Sequence, residues 1–228
     1  MKRLCVLILC ASAMVVCLTS CGFGWDSFMG SLGFDTKDYS TEPVRINYAN
    51  DSEKAAELCG YIRMLILDSP FIPEFDSSAE AINLFRDSLL NYMLSSNYSR
   101  YTGNLELLDE ASEEYPAMTV NNLIPAKEFE QTYYTFFGGS TKITNKSGDF
   151  FMFLAKIEAY TALSEPILND IRIVPTYVAE TENTYRFRVK LIHDANTSPE
   201  YDIVMIKRIE DGNAYFRSVK EVKNIADQ

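Results

Sequence analysis

The sequence has one histidine, one tryptophan, five cysteines and a deficit of positive charge, with 21 Lys and Arg against 32 Asp and Glu in 228 residues. Each shortage removes a class of function. A formal charge of −11 argues against DNA or RNA as a partner, because phosphate binding needs clustered Lys and Arg. One histidine and five scattered cysteines leave little material for zinc clusters, disulfide frameworks or histidine-based catalysis, so no metal or other cofactor is expected. The 47% hydrophobic and 23% charged content is that of a folded globular chain.

What is present at the amino terminus is an address. Met1-Lys2-Arg3 is a short positive start, and Leu4 to Leu18 is almost wholly apolar. That run is shorter than the about 20 apolar residues needed to cross a bilayer, and it ends in small residues before a cysteine. Leu18-Thr19-Ser20-Cys21 resembles the lipobox of bacterial lipoproteins. The resemblance implies a signal peptide over 1–20 that is cut away, diacylglyceryl (palmitate-type) modification of the Cys21 thiol, and attachment to the extracytoplasmic face of the cell membrane. It implies no activity. An ordinary cleaved signal that leaves Cys21 a free thiol is the other reading. Cleavage removes twenty residues, three cysteines and two basic residues, which leaves 208 residues, a formal charge of −13 and the thiols of Cys21 and Cys59. With Cys21 acylated, Cys59 has no partner, and stability must come from a core.

Residues 21–45 read as the lipidated cysteine and a flexible spacer, with Gly22, Gly24, Gly30 and Gly33 among scattered Asp and Ser. Trp25, Phe28 and Phe34 in that stretch suit a lipid interface as well. Residues 46–228 read as one domain. Asn50-Asp51-Ser52 caps a helix with Leu58, Ile62, Leu65 and Ile66 on one face, ending before Pro70. Ser77-Ser78-Ala79-Glu80 is a capping-box pattern opening a second helix through Ile82, Phe85, Leu89, Tyr92 and Met93 to about Asn97. Tyr98 to Asn122 reads as mostly loop with a short helical turn at Leu105 to Ala111. Pro125 opens a third helix that Gly138-Gly139 stops. Phe150 to Leu163 suits a strand or a helix, with a strand favoured near its start and a turn after it.

The last fifty residues predict four strands in an antiparallel meander: Ile171 to Ala179, a run around Tyr185 to Leu191, Tyr201 to Ile209 and Ala214 to Val222. Asp194 to Pro199 reads as a loop and Asp211-Gly212 as a hairpin turn. Arg186, Arg188 and Lys190 alternate with apolar residues and would form a basic stripe on one face. Pro175 demands an edge position or a bulge. Helices first and sheet last give an α+β domain in which N-terminal helices pack on a curved C-terminal sheet. That order of elements resembles the cone-shaped, cystatin-like fold of the nuclear transport factor two superfamily. The resemblance implies a pocket at the mouth of the cone, used by some members for catalysis and by many for binding.

No catalytic constellation is legible, so an enzyme is not the favoured reading. His193-Asp194 would point to opposite faces of a strand, and Cys59 reads as a small buried hydrophobe. Asp149, Glu158 and Asp170 are the carboxylates placed to act as a cone base, and Glu110, Glu113 and Glu114 read as a solvated acidic loop. Gly138-Gly139-Ser140-Thr141 follows a helix where a phosphate loop precedes one, so it reads as a stop. The densest aromatic cluster supplies Tyr133, Phe136, Phe137, Phe153 and Tyr160 as candidate pocket lining. The expected function is a non-enzymatic, membrane-anchored binding or association module for an apolar ligand, a protein partner or a second copy. The alternative is an isomerase- or dehydratase-like enzyme using a cone carboxylate. A two-lobed solute receptor would need more chain than one meander supplies.

Overall fold

The computed structural model of the chain describes residues 39–138, 143–168, 170–194, 196–208 and 213–223. Cys21, Trp25, Phe28, Phe34, Gly139, Ser140, Thr141, Asp211 and Gly212 lie outside the described residues. One compact unit takes in the described residues from 42 onward. It is α+β, with helices gathered mainly in its first half and a five-stranded antiparallel sheet closing the chain.

A three-residue strand β1 (Ile46–Tyr48) comes first. Helix α1 (Glu53–Ile62) is capped by Ser52, whose hydroxyl accepts from the Ala55 N–H, and ends in a tight turn over Arg63–Leu65. The expected second helix is two helices, α2 (Ser78–Leu84) and α3 (Arg86–Ser96), because Phe85 at φ −117°, ψ 14° breaks the winding between them. The Ser77 cap and Glu80 form the expected reciprocal box: Ser77 Oγ accepts from the Glu80 N–H, and Glu80 accepts from the Asp76 N–H, one residue earlier than the ideal pattern.

The stretch expected to be mostly loop holds two helices, α4 (Tyr98–Thr102) and α5 (Leu105–Glu114). Asn104 caps α5 through the Leu107 N–H, and Ala111, Leu107 and Leu108 close a satellite core with Val120, Leu123, Leu154 and Ala159. Next come β2 (Ile124–Pro125) and α6 (Ala126–Phe137), which carries Phe129, Tyr133 and Phe137 on its buried side. Gly138 ends it at φ 64°, ψ −166°, a conformation open to glycine. The Phe150 to Leu163 run is a hairpin of β3 (Phe151–Leu154) and β4 (Ala159–Ala162), joined to β2 in a small sheet of order β2-β4-β3.

The main sheet adds β5 (Arg172–Glu180), β6 (Thr184–His193), β7 (Asn196–Lys207) and β8 (Ala214–Glu221) in the order β1-β5-β6-β7-β8. From β5 to β8 neighbours in sequence are neighbours in space, and β1, from the start of the unit, adds a fifth strand beside β5 beyond the four expected. Pro175 sits at a register shift between Pro175 and Tyr177, beyond the stretch of β5 that β1 covers, so it takes no donor from a ladder that needs one. Two further shifts, at Lys190/Ile192 and Val204/Met205, sharpen the twist. The expected loop from Asp194 to Pro199 is instead the start of β7. Pro199, which has no N–H to donate, falls at the Lys190/Ile192 register shift where the ladder is interrupted, and there the Leu191 N–H donates to Ser198 Oγ at 2.9 Å. One face of the sheet (Val178, Phe187, Val189, Leu191, Ile203, Met205, Phe216, Val219) is buried in a core shared with Leu58, Ile62, Phe85, Leu89 and Phe137. On the other face the basic stripe is matched by acids: Arg188 meets Asp202 at 3.3 Å, and Lys190 lies opposite Glu200 in register.

The start of the unit is fastened to the β5–β6 turn. Glu42 accepts from Thr181 Oγ1 (2.7 Å), Asn183 Nδ2 (2.6 Å) and the Asn183 N–H (3.3 Å), and the Arg45 N–H donates to the Glu180 carbonyl. Tyr48 donates to Glu180, a bond that pushes the phenol up to about 12. Burial works against the Glu180 carboxylate, but Lys207 Nζ at 2.5 Å and the Tyr48 hydroxyl outweigh it and hold it below the usual range.

Candidate functional site

A cleft of about 380 Å³ lies among three segments: residues 65–73 after α1, the α2–α3 junction at residues 83–88, and the 146–150 loop before β3. Its position follows from local sequence. Ile72 donates its N–H to the Tyr201 hydroxyl at 3.2 Å, and Phe75 pairs with Val219 through two backbone bonds of 3.0 Å, which ties the 65–73 wall to the β8 end of the sheet. Phe71, between Pro70 and Pro73 in sequence, is 59% exposed on the cleft wall.

The floor is the first turn of α3. Arg86 is 6% exposed and donates from its guanidinium to the Thr144 carbonyl at 3.3 Å. Asp87 reaches across to the loop and accepts the N–H groups of Asp149 (2.8 Å) and Phe150 (3.1 Å). Gly148 lies against that carboxylate, where a Cβ would sit 2.1 Å from Asp87 Oδ1. Two polar atoms of the floor, Arg86 Nε and Asp87 Oδ1, are buried without a hydrogen-bond partner. Such atoms are rare in folded proteins and collect where stability has been given up for another purpose. Behind the floor Tyr160 donates to Asn145 (2.8 Å), which donates to Glu130 (2.8 Å); burial raises the Tyr160 phenol, opposed by the adjacent Arg86.

The five aromatic residues expected to line a pocket are elsewhere. Tyr133 and Phe137 are 1% exposed and stack at 4.8 Å, with Phe85, Phe75 and Phe216 within 6.0 Å of the Phe137 ring. Tyr160 is fully buried between Phe129 (5.2 Å) and Phe153 (5.1 Å). Phe136 faces the other way, edge-on to Tyr61 (6.0 Å) and Tyr92 (6.1 Å). The rings fill one another's space, and none of the five lines the cleft. Phe150, from the same aromatic run, does. The signals that could have pointed to the cleft are an arginine inside an apolar helical run, a phenylalanine between two prolines and the polar turn Asn145-Lys146-Ser147-Gly148-Asp149.

The carboxylates considered as bases are apart and open to solvent. Asp149 is on the cleft rim, Glu158 is at the β3–β4 turn with φ 47°, and Asp170 precedes β5; all three are exposed. His193 and Asp194 do approach, to 3.9 Å, which corrects the expectation that they diverge: Asp194 has left the strand at φ 53° and its side chain turns back. Both are open to solvent, with side chains 37% and 83% exposed. Glu110, Glu113 and Glu114 are on α5 and not on a loop, with Glu114 paired to Lys156 at 2.6 Å. Among the described residues no group of three His, Cys, Asp or Glu side chains could hold a metal ion, and no helix is long and apolar enough to cross a membrane.

Cys59 is a buried free thiol on α1, and burial pushes it up to about 11. At pH 8 such a group is about one part in a thousand thiolate. In the folded protein Ellman's reagent is expected to leave Cys59 unmodified, and to modify it once urea is added; rapid modification without urea would mean that the thiol is not buried. No family model matches the chain, and no curated protein or solved structure matches it either.

Proposed function

We propose that the chain is a lipid-anchored extracytoplasmic lipoprotein whose folded unit is a non-enzymatic binding or association module. Anchoring is supported by Leu18-Thr19-Ser20-Cys21 after a short apolar run. The observation that carries the binding role is the cleft, with its buried unmatched Arg86 Nε and Asp87 Oδ1 beside an exposed Phe71. The cone-like arrangement of the nuclear transport factor two superfamily belongs to the same proposal. It is supported by helices preceding an antiparallel sheet with three register shifts, each of which adds twist.

The anchor is tested by growing cells on a palmitate analogue and following the protein through membrane fractionation. Wild type is expected to carry the label and sediment with membranes. Cys21→Ser is expected to lose the label completely and to accumulate as uncleaved precursor. A labelled Cys21→Ser protein, or an unlabelled wild type, overturns the reading. Cross-linking in intact cells then tests association: an extracytoplasmic neighbour or a second copy of the chain is expected, and a protein that links to nothing counts against a binding role.

A further inference from the structure

We infer that the cleft at the α2–α3 junction is a binding site for a neutral carbohydrate of about two rings, an inference that rests on the binding-module reading and names its ligand. The cleft is of the right order, since its 380 Å³ lies at the small end of ligand pockets. Its lining selects by elimination. A phosphate or other anion would face Asp68, Asp87 and Asp149. An organic cation would face Arg86 and Lys146. A hydrocarbon would strip water from Asn83, Asp68 and Lys146 and return no hydrogen bonds.

A sugar meets all of these conditions at once. Its hydroxyls both donate and accept, so they pair with the Asp68 and Asp149 carboxylates, the Asn83 amide and the Lys146 ammonium alike. Those four side chains are exposed on the cleft. A pyranose also has an apolar C–H face, and Phe71 offers a ring that is 59% exposed. An aromatic platform beside planar carboxylate and amide groups is chemistry suited to a flat, polar, uncharged ligand.

The placement agrees. The chain enters the folded unit at Glu42, fastened to the β5–β6 turn, whereas the Phe71 wall is tied to Tyr201, midway along β7, and to Val219 near the end of β8. In the strand order β8 is the edge away from β5, so the site lies toward the β8 side of the sheet and the point where an anchor would pull toward the β5 side.

The test titrates a panel of neutral mono-, di- and oligosaccharides into the full mature chain in detergent, followed by calorimetry and by protein NMR. Millimolar or tighter binding of at least one disaccharide is expected, with a Kd that stays constant as salt rises, because the ligand carries no charge. Phe71→Ala and Asn83→Ala are each expected to weaken it about tenfold or more, with unchanged circular dichroism, since both side chains are exposed. The inference is overturned if no sugar binds at tens of millimolar, if Phe71→Ala leaves the affinity unchanged, or if acidic or basic peptides bind in its place with affinity that falls as salt rises. The anchor and association readings are decided separately by the palmitate label and the cellular cross-links, so a sugar-free result leaves them standing.

Discussion

Phe137→Ala is expected to destabilise the folded unit by about 3–5 kcal/mol, a large part of the 5–15 kcal/mol typical of a whole domain. The ring is 1% exposed and touches four others: Tyr133 stacked at 4.8 Å, Phe85 stacked at 5.7 Å, and Phe75 and Phe216 at 5.9 and 6.0 Å. Removing it empties a volume walled by α6, α3, the 75 segment and β8, which cannot all move inward together. In a thermal melt the midpoint should fall by about 10 °C or more, at roughly 2–4 °C per kcal/mol for a unit of this size. Phe136→Ala is the internal control. That ring is only half buried, and its loss should cost less than half as much. Equal costs at the two adjacent positions would mean that α6 is rotated from the orientation described.

The second large effect is at the end of the same helix. Gly138→Ala is expected to cost about 1–3 kcal/mol for the backbone, because φ 64° with ψ −166° is a region that side-chain-bearing residues avoid. A further about 1–3 kcal/mol comes from overlap, since the new Cβ would sit 2.6 Å from two carbons of the Tyr215 ring. The two parts separate in a double mutant. In a Tyr215→Ala background the overlap vanishes and the backbone part remains, so Gly138→Ala should cost distinctly less there, measured by urea unfolding. The same cost in both backgrounds would sink the steric half of the argument.

What the sequence disclosed and what it hid have physical reasons. Helix α6 was legible because its two ends carry residues with fixed backbone preferences, Pro125 and Gly138, and because Phe129, Tyr133 and Phe137 recur at the helical step. The break at Phe85 was hidden, since the apolar period continues through it. What interrupts the winding is a packing demand from distant residues, Phe75 and Phe137, whose rings lie 5.3 and 5.7 Å away. Helix α5 was legible only as a short turn at Leu105 to Ala111 and its full length was hidden, for a related reason: its apolar positions Leu107, Leu108 and Ala111 face a satellite core that exists only after β3 and β4 pair. Pro199 suggested a loop, but it falls at a register shift between β6 and β7, where the interrupted ladder asks for no donor. The cleft was hard to see in sequence because its three walls span 85 positions, from Leu65 to Phe150, and none carries a recognisable motif. The aromatic cluster drew attention by density, and density turned out to mark packing.

The Glu42 clasp has a mechanical meaning. A pull on the amino terminus is resisted first by its three bonds to the turn at Thr181 and Asn183, then by the short β1–β5 ladder, and only afterwards by the buried aromatic rings. These contacts release one after another, like a seam opened from its end. Under tension the molecule would therefore lengthen by the slack of β1 before the β8 side of the sheet felt any strain.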